Sequence, residues 1–422
     1  MRAPFVSLLA WSLAAIATSA AAQDAASPPT PEATPKPVSH SGAPLFQFGM
    51  GPFVVTPTFR IGTLGVDTNV RYSRDRQVDF VASAGPGLDV SLPFHDSWKV
   101  NVESSAQYMY FQRTVQLRRW TWEGTSGLFW QNTGTEASVV AGIHRDFSRP
   151  SFEVDQRIAR TTRSLDGTVS RDLGRLTMRF GGNGTVTRVD EGQEFRGADV
   201  STSLATDRVG GTLQFELSVT AVSALLFEGG YEETHFPKAT IRNYAQEYAG
   251  LGIKTDGYFT GQVTAGARRT HLLGLPLSRT RPYLRGFMSQ QLGPRFKLAE
   301  RYTHESNASA FAVDGTLPTY ENRTLDADLS IQLTQRIDMK VGGTRTRLLS
   351  EGLVQILDDA GKVVKAERDD VVYVARAEFG LRLGRTRTVA FVSYTTRDSQ
   401  YFADFGIQGV QAGARVEYAP QR

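Results

Sequence analysis

Asp79-Phe80-Val81-Ala82-Ser83-Ala84-Gly85-Pro86-Gly87-Leu88-Asp89-Val90-Ser91-Leu92 alternates along its whole length. Successive side chains of a strand point to opposite faces. Phe80, Ala82, Ala84, Leu88, Val90 and Leu92 therefore share one face, and Ser83, Gly85, Gly87, Asp89 and Ser91 share the other. After Pro93-Phe94-His95-Asp96-Ser97, the alternation restarts at Trp98. Trp98, Val100, Val102, Ala106, Tyr108 and Tyr110 now oppose Lys99, Asn101, Glu103, Ser105 and Gln107. A period of two over this length predicts half-buried strands, not helices.

Working outward, the same ten-residue unit recurs from Phe53 to Tyr418. Tight connections are expected at 131–136, 172–175, 218–221, 255–257, 292–295, 334–336 and 384–386. Longer polar loops fall between them, at 112–119, 147–160, 190–198, 234–243, 269–280, 305–319, 348–370 and 397–405. With a first strand at 53–64 and a last at 410–418, the sum is about eighteen strands. An even count, with short turns on one rim and long loops on the other, is the pattern of outer-membrane barrels. The expected fold is all-β: a transmembrane antiparallel up-and-down β-barrel of about 18 strands. Both termini and the short turns then lie in the periplasm.

Two further features separate this pattern from a soluble sandwich. Aromatics flank the apolar face near strand ends, at Trp98, Tyr108, Tyr110, Trp120, Trp122, Trp130, Tyr231, Phe296, Tyr302 and Tyr418, as an interfacial girdle requires. Opposite charges sit in mid-strand on the polar face, which a dry core would not accept. Val90 and Val341 are thus expected to face lipid, and Ser91 and Gly342 to face inward with room for a cation.

Residues 1–22 read as a signal peptide: Arg2, an apolar run to Ile16, then Ala20-Ala21-Ala22. Residues 23–44 hold six Pro among Ala, Ser and Thr and read as a periplasmic linker toward an export partner, leaving 45–422 for the barrel. There is no Cys, which excludes disulfide scaffolds and thiol catalysis. The net charge of +4 is too small for nucleic-acid binding, yet 39 of the 47 basic residues are Arg. The expected location is the outer membrane of a Gram-negative bacterium, with its lipids as partners.

No catalytic pattern, cofactor or metal site emerges. The six His are scattered; His144 with Asp146 and His304 with Glu305 are the nearest to acid–base dyads, and both read better as solvated loop-edge pairs. The inward face carries the functional signal. Alternation places Lys99, Glu103, Glu123, Arg179, Glu216 and Glu228 there. Farther along come Glu232, Arg268, Arg301, Asp326, Asp328, Asp338 and Lys340. Arg376, Glu378, Arg382, Arg415 and Glu417 complete the set. Planar Arg and carboxylates among Gly, Ser, Thr and Gln suit a track of many weak contacts, since passage requires binding loose enough to leave. Within loop 348–370, Leu353-Val354-Gln355-Ile356-Leu357 and Lys362-Val363-Val364-Lys365 flank the turn Asp358-Asp359-Ala360-Gly361. That reads as a separate hairpin, projecting outward or folding over the mouth.

Gly65-Val66-Asp67-Thr68-Asn69-Val70, Ala84-Gly85-Pro86-Gly87-Leu88 and Tyr108-Met109-Tyr110 resemble the type 2 putative β-barrel porins encoded with exopolysaccharide synthesis genes. The resemblance implies a secretion channel for a polysaccharide. A general diffusion porin for small hydrophilic solutes, an outer-membrane enzyme and a purely structural barrel are the other readings.

Overall fold

A computed structural model describes residues 43–44, 48–50, 53–71, 76–150, 154, 156–195, 198–309, 312–313, 315–357, 363–384, 386–399 and 408–418. The expected signal peptide, most of the linker and the turn at 358–361 lie outside the described residues.

Eighteen strands form one antiparallel sheet. They begin with β1 (Phe53–Asp67), β2 (Asp79–His95), β3 (Trp98–Phe111), β4 (Arg119–Asn132), β5 (Thr135–Ser148) and β6 (Ile158–Asp172). Next come β7 (Leu176–Val189), β8 (Thr206–Thr220), β9 (Ser223–His235), β10 (Tyr244–Asp256), β11 (Phe259–Leu272) and β12 (Ser278–Gln291). The wall ends with β13 (Phe296–Ala308), β14 (Thr319–Gln332), β15 (Ile337–Ser350), β16 (Asp369–Leu383), β17 (Thr386–Ser399) and β18 (Gln408–Tyr418). Each pairs with the next, and β18 returns to β1 through Gln411 opposite Asp67 and Ala414 opposite Leu64. The sheet is a closed barrel, and closure removes the exposed edges that would otherwise invite association.

β18 meets β1 only from Ile61 to Asp67. Below that point Ala43 and Pro44 pair with Phe59 and Thr58, and 48–50 pair with 53–55. The end of the expected linker therefore continues the wall. Pro44 is compatible with this position because an outermost segment needs no N–H toward a further neighbour.

The outer face is a membrane face. Leu251, Ile253 and Val263 are 68%, 60% and 54% exposed in mid-strand, which only a lipid surrounding accommodates at this density. Trp98 lies against Trp130 at 6.1 Å near one rim, and Tyr108 against Trp120 at 5.4 Å near the other. Ten residues separate these levels; at about 3.3 Å per residue and a tilt of about 40°, that is about 25 Å, the height of an outer-membrane apolar band. The barrel therefore sits in the outer membrane.

Turns of two to four residues close one rim, and nine connections of five to eighteen residues leave the other. Gly134, at φ 66°, provides the left-handed position in the two-residue turn between β4 and β5. Two expected boundaries are corrected. The turn placed at 218–221 falls between Thr220 and Ser223, and the loop placed at 269–280 shrinks to 273–277. Arg269, Thr270 and His271 keep their ladder partners in β12. Outward polar residues above the lipid look like loop in sequence, although the ladder continues through them.

Candidate functional site in the lumen

The concave face is identified by reach. Tyr283 Oη of β12 donates to Glu228 Oε1 of β9 at 2.8 Å, and Arg285 ion-pairs with the same carboxylate across two intervening strands. Side chains can bridge that span only on the inside of the curve. The register row at this level runs Glu228, Gly250, Gly266, Tyr283. Two glycines without Cβ lie in the row between the carboxylate and the tyrosine, so no side chain stands between them there.

The same device recurs. Asp328, Gly342 and Arg376 form one row across β14, β15 and β16. Arg376 donates to Asp328 at 2.7 Å and to Asp326 at 2.7 Å, while Lys340 pairs with Asp328 at 2.9 Å and Thr344 donates to Asp326 at 2.6 Å. Arg387 of β17 reaches diagonally over Gly380 to Asp338, and a Cβ on Gly380 would come within 2.6 Å of the Arg387 guanidinium. Arg60 crosses β2 beside Gly85 and Gly87 to pair with Glu103 and Glu123 and to donate to Ser105 at 3.0 Å. Each crossing lays charge along the wall, so the wall is hydrophilic without being narrowed.

By register, the residues expected to face inward share this side of their strands. Glu216 meets Lys254 at 2.9 Å, and Glu378 meets Arg415 at 3.0 Å. Glu417 takes both Arg387 at 2.6 Å and Arg415 at 2.8 Å. Arg179 donates to Gln214 at 3.3 Å, and Arg268 donates to the carbonyl of His304. Lys99 is exposed near the short-turn rim. Arg301 is exposed too, and no carboxylate lies within 4 Å of it among the described residues. Arg60, Lys254, Tyr283, Arg285 and Arg387 belong to these groups and were absent from the sequence-derived set. Arg285 was legible, since it continues the alternation of Arg281 and Tyr283. Arg60 was hidden because the register shifts between Ile61 and Leu64, which reverses the faces along β1.

Two inward expectations are corrected. Gly342 has no free room: a Cβ there would meet the Asp328 carboxylate. Nor is the inner face polar throughout. At the long-loop end, Tyr320, Leu348, Val372 and Val374 form a buried inner cluster, and Val70, Val81 and Phe111 form another. Phe236, Tyr244, Leu272 and Leu317 make a third, with Leu317 supplied by the loop after β13.

A fourth cluster crosses the mouth. Val354, from the loop between β15 and β16, packs with Val154, Ile158, Phe195 and Val200. Ile158 opens β6, nine strands from β15, so loops from opposite sides of the barrel meet in this cluster. The expected hairpin is present, Val354–Leu357 paired with Val363–Ala366. Ala312 bridges to Val354, and Val313 N–H donates to Leu353 O at 3.0 Å, tying the neighbouring loop to it. Its base is pinned at Glu351, whose N–H donates to Thr319 O at 2.8 Å and whose carboxylate accepts from Ser306 at 3.2 Å and from Thr319. On the far side Asp199 caps the short helix α1 (Val200–Leu204), accepting from Ser201 N–H at 2.8 Å. Hydrogen bonds from Ser201 hold the Asp199 carboxyl below its ordinary range.

The two His pairs are structural groupings. His144 stands 3.8 Å from Asp146, but Arg160 holds Asp146 through Nε at 3.0 Å and Nη2 at 2.9 Å, and Ser148 donates to it at 2.6 Å. His304 is buried with Glu321 at 3.2 Å, not with Glu305. Adjacent residues point to opposite faces of β13, so Glu305 cannot serve it.

No family model matches the chain, and no curated protein does. Among solved structures it is similar to the FrpB iron transporter from Neisseria meningitidis (F3-3 variant), with 10% identity and TM-score 0.48 over 85% of this chain and 64% of that one. The chain thus spans under two thirds of that transporter's length. It is also similar to Pseudomonas aeruginosa OccK2 (OpdF) in complex with glucuronate, with 11% identity and TM-score 0.49 over 86% and 98% of the two chains. A third is Pseudomonas aeruginosa OpdK with vanillate, with 10% identity, TM-score 0.46 and the same two coverages. At such identities the likeness is one of fold, the outer-membrane β-barrel.

Proposed function

We propose that this barrel is a passive channel for small hydrophilic solutes, narrowed at its outer mouth by folded-in loops. One observation carries the reading: the loop after β15 meets the loops of the opposite side in one apolar cluster over the mouth, above a lumen lined by ion pairs. A conduit for a secreted polysaccharide would need that cluster displaced for each passing chain, and the expected periplasmic export partner would have to drive it. Paired charges of both signs in the wall favour polar cargo without trapping it.

The test is electrical. Full-length protein in a planar bilayer should give small, stable conductance steps, and deletion of 354–365 should raise them several-fold. Soluble oligosaccharides longer than a few sugars should neither block nor permeate the intact channel. Passage of long chains through it would restore the polysaccharide reading, and silence in both forms would remove the channel itself.

A further inference from the structure

We infer that Phe287 and Arg301 form a subsite in the lumen for a six-membered ring bearing one carboxylate. The inference rests on the channel reading above and names a solute class for it. Phe287 shares the inward side of β12 with Tyr283 and Arg285, lying opposite Gln262 on β11 and Arg301 on β13. Its ring is 44% exposed, beside a wall of ion pairs and amides. Tyr283, two rows nearer the mouth, is buried and its hydroxyl engaged by Glu228. Phe287 has no comparable cover. An apolar ring left facing water is a ready platform for another ring, whether the C–H face of a sugar or an aromatic face.

Arg301 supplies the charge. The guanidinium groups of Arg60, Arg285, Arg376, Arg387 and Arg415 are all ion-paired to wall carboxylates. Arg301 stands opposite Asp326, but that carboxylate already accepts from Arg376 and from Thr344. Glu305, on the same face, lies in the field of Arg301 without reaching ion-pair distance, so the fork of Arg301 keeps its N–H donors for a carboxylate, which such a fork can bind through two parallel donors. Directly paired residues on neighbouring strands have Cβ atoms about 4.5–5.5 Å apart, so platform and fork rise from adjacent points of the wall. Gln262 and Ser289 flank the platform with an amide and a hydroxyl for ring substituents.

Glucuronate, benzoate, glucose and acetate separate the contributions of ring and charge. Saturation-transfer NMR on the detergent-solubilised full chain, and current blockade in planar bilayers, should both register glucuronate and benzoate well above glucose and acetate. Phe287→Ala should weaken both ring acids several-fold, and Arg301→Gln should abolish the advantage over glucose. Both variants should keep heat-modifiable migration, which shows that the barrel assembled. Glucuronate against benzoate tells a sugar acid from an aromatic acid. Ring acids no better than acetate, or signals indifferent to Phe287→Ala, overturn the subsite. Binding without conductance overturns only the channel reading.

Discussion

The two ends of this lumen are built by opposite chemistry. In the middle, charge is paired with charge and laid over glycines, as at Asp328, Gly342 and Arg376. Toward the outer mouth the inward positions turn apolar, and Val354 is fastened against Val154, Ile158, Phe195 and Val200. Both face the same bore. Half-exposed ion pairs are weak individually, about 0–1 kcal/mol, so the middle zone holds its shape through the closed ladder behind it. The loops have no such ladder; burial of apolar side chains, roughly 1.5–3 kcal/mol each, must hold them. The wall needs wetting without obstruction, and the mouth needs obstruction without a wall.

The largest effect is expected from charging the latch. Val354→Asp places a lone carboxylate in a dry cluster, at a cost of several kcal/mol, and the loop is free to leave. Single-channel conductance should rise toward that of the 354–365 deletion, with heat-modifiable migration unchanged. A collapse of assembly instead would mean that the latch and the wall are one cooperative unit.

Next in size is overfilling the middle. Gly342→Leu forces side-chain atoms into the space of the Asp328 carboxylate, and overpacking of this kind costs about 1–3 kcal/mol. The unfolding temperature should fall, and displacement of Arg376 from the wall should lower conductance. Gly342→Arg should behave similarly, unlike Ser91→Arg, whose neighbour is the Asn101 side chain at 3.1 Å.

A smaller change follows from Arg60→Met. Glu103 and Glu123 lose their shared cation, and the added negative field should shift reversal potentials toward cation selectivity at low salt. Molar salt should erase the shift. Salt alone should have the least effect: it screens the ion pairs but leaves the apolar latch intact, so closure of the mouth should persist at 1 M. Opening under salt would show that charge holds the loops after all.

Much of this was written in the chain. Alternation such as that of Phe80 to Leu92 determined strands, faces, approximate strand number and the membrane, because a period of two and an aromatic girdle are local properties. The hairpin after β15 was equally local. The inner apolar zone left a trace, in that Val371-Val372-Tyr373-Val374 is apolar on both faces, but a continuous run does not say what covers its inner side.

Tertiary structure alone decided the rest. Nothing near Val354 in sequence names Val154 or Ile158, some two hundred residues earlier; closure of eighteen strands brings the two sides within a loop's reach. Pairings such as Arg60 with Glu103 depend on a register shift and on glycines of the strand between. A strand's faces follow from its own residues, whereas the neighbours across a lumen follow from how the whole sheet curls and closes.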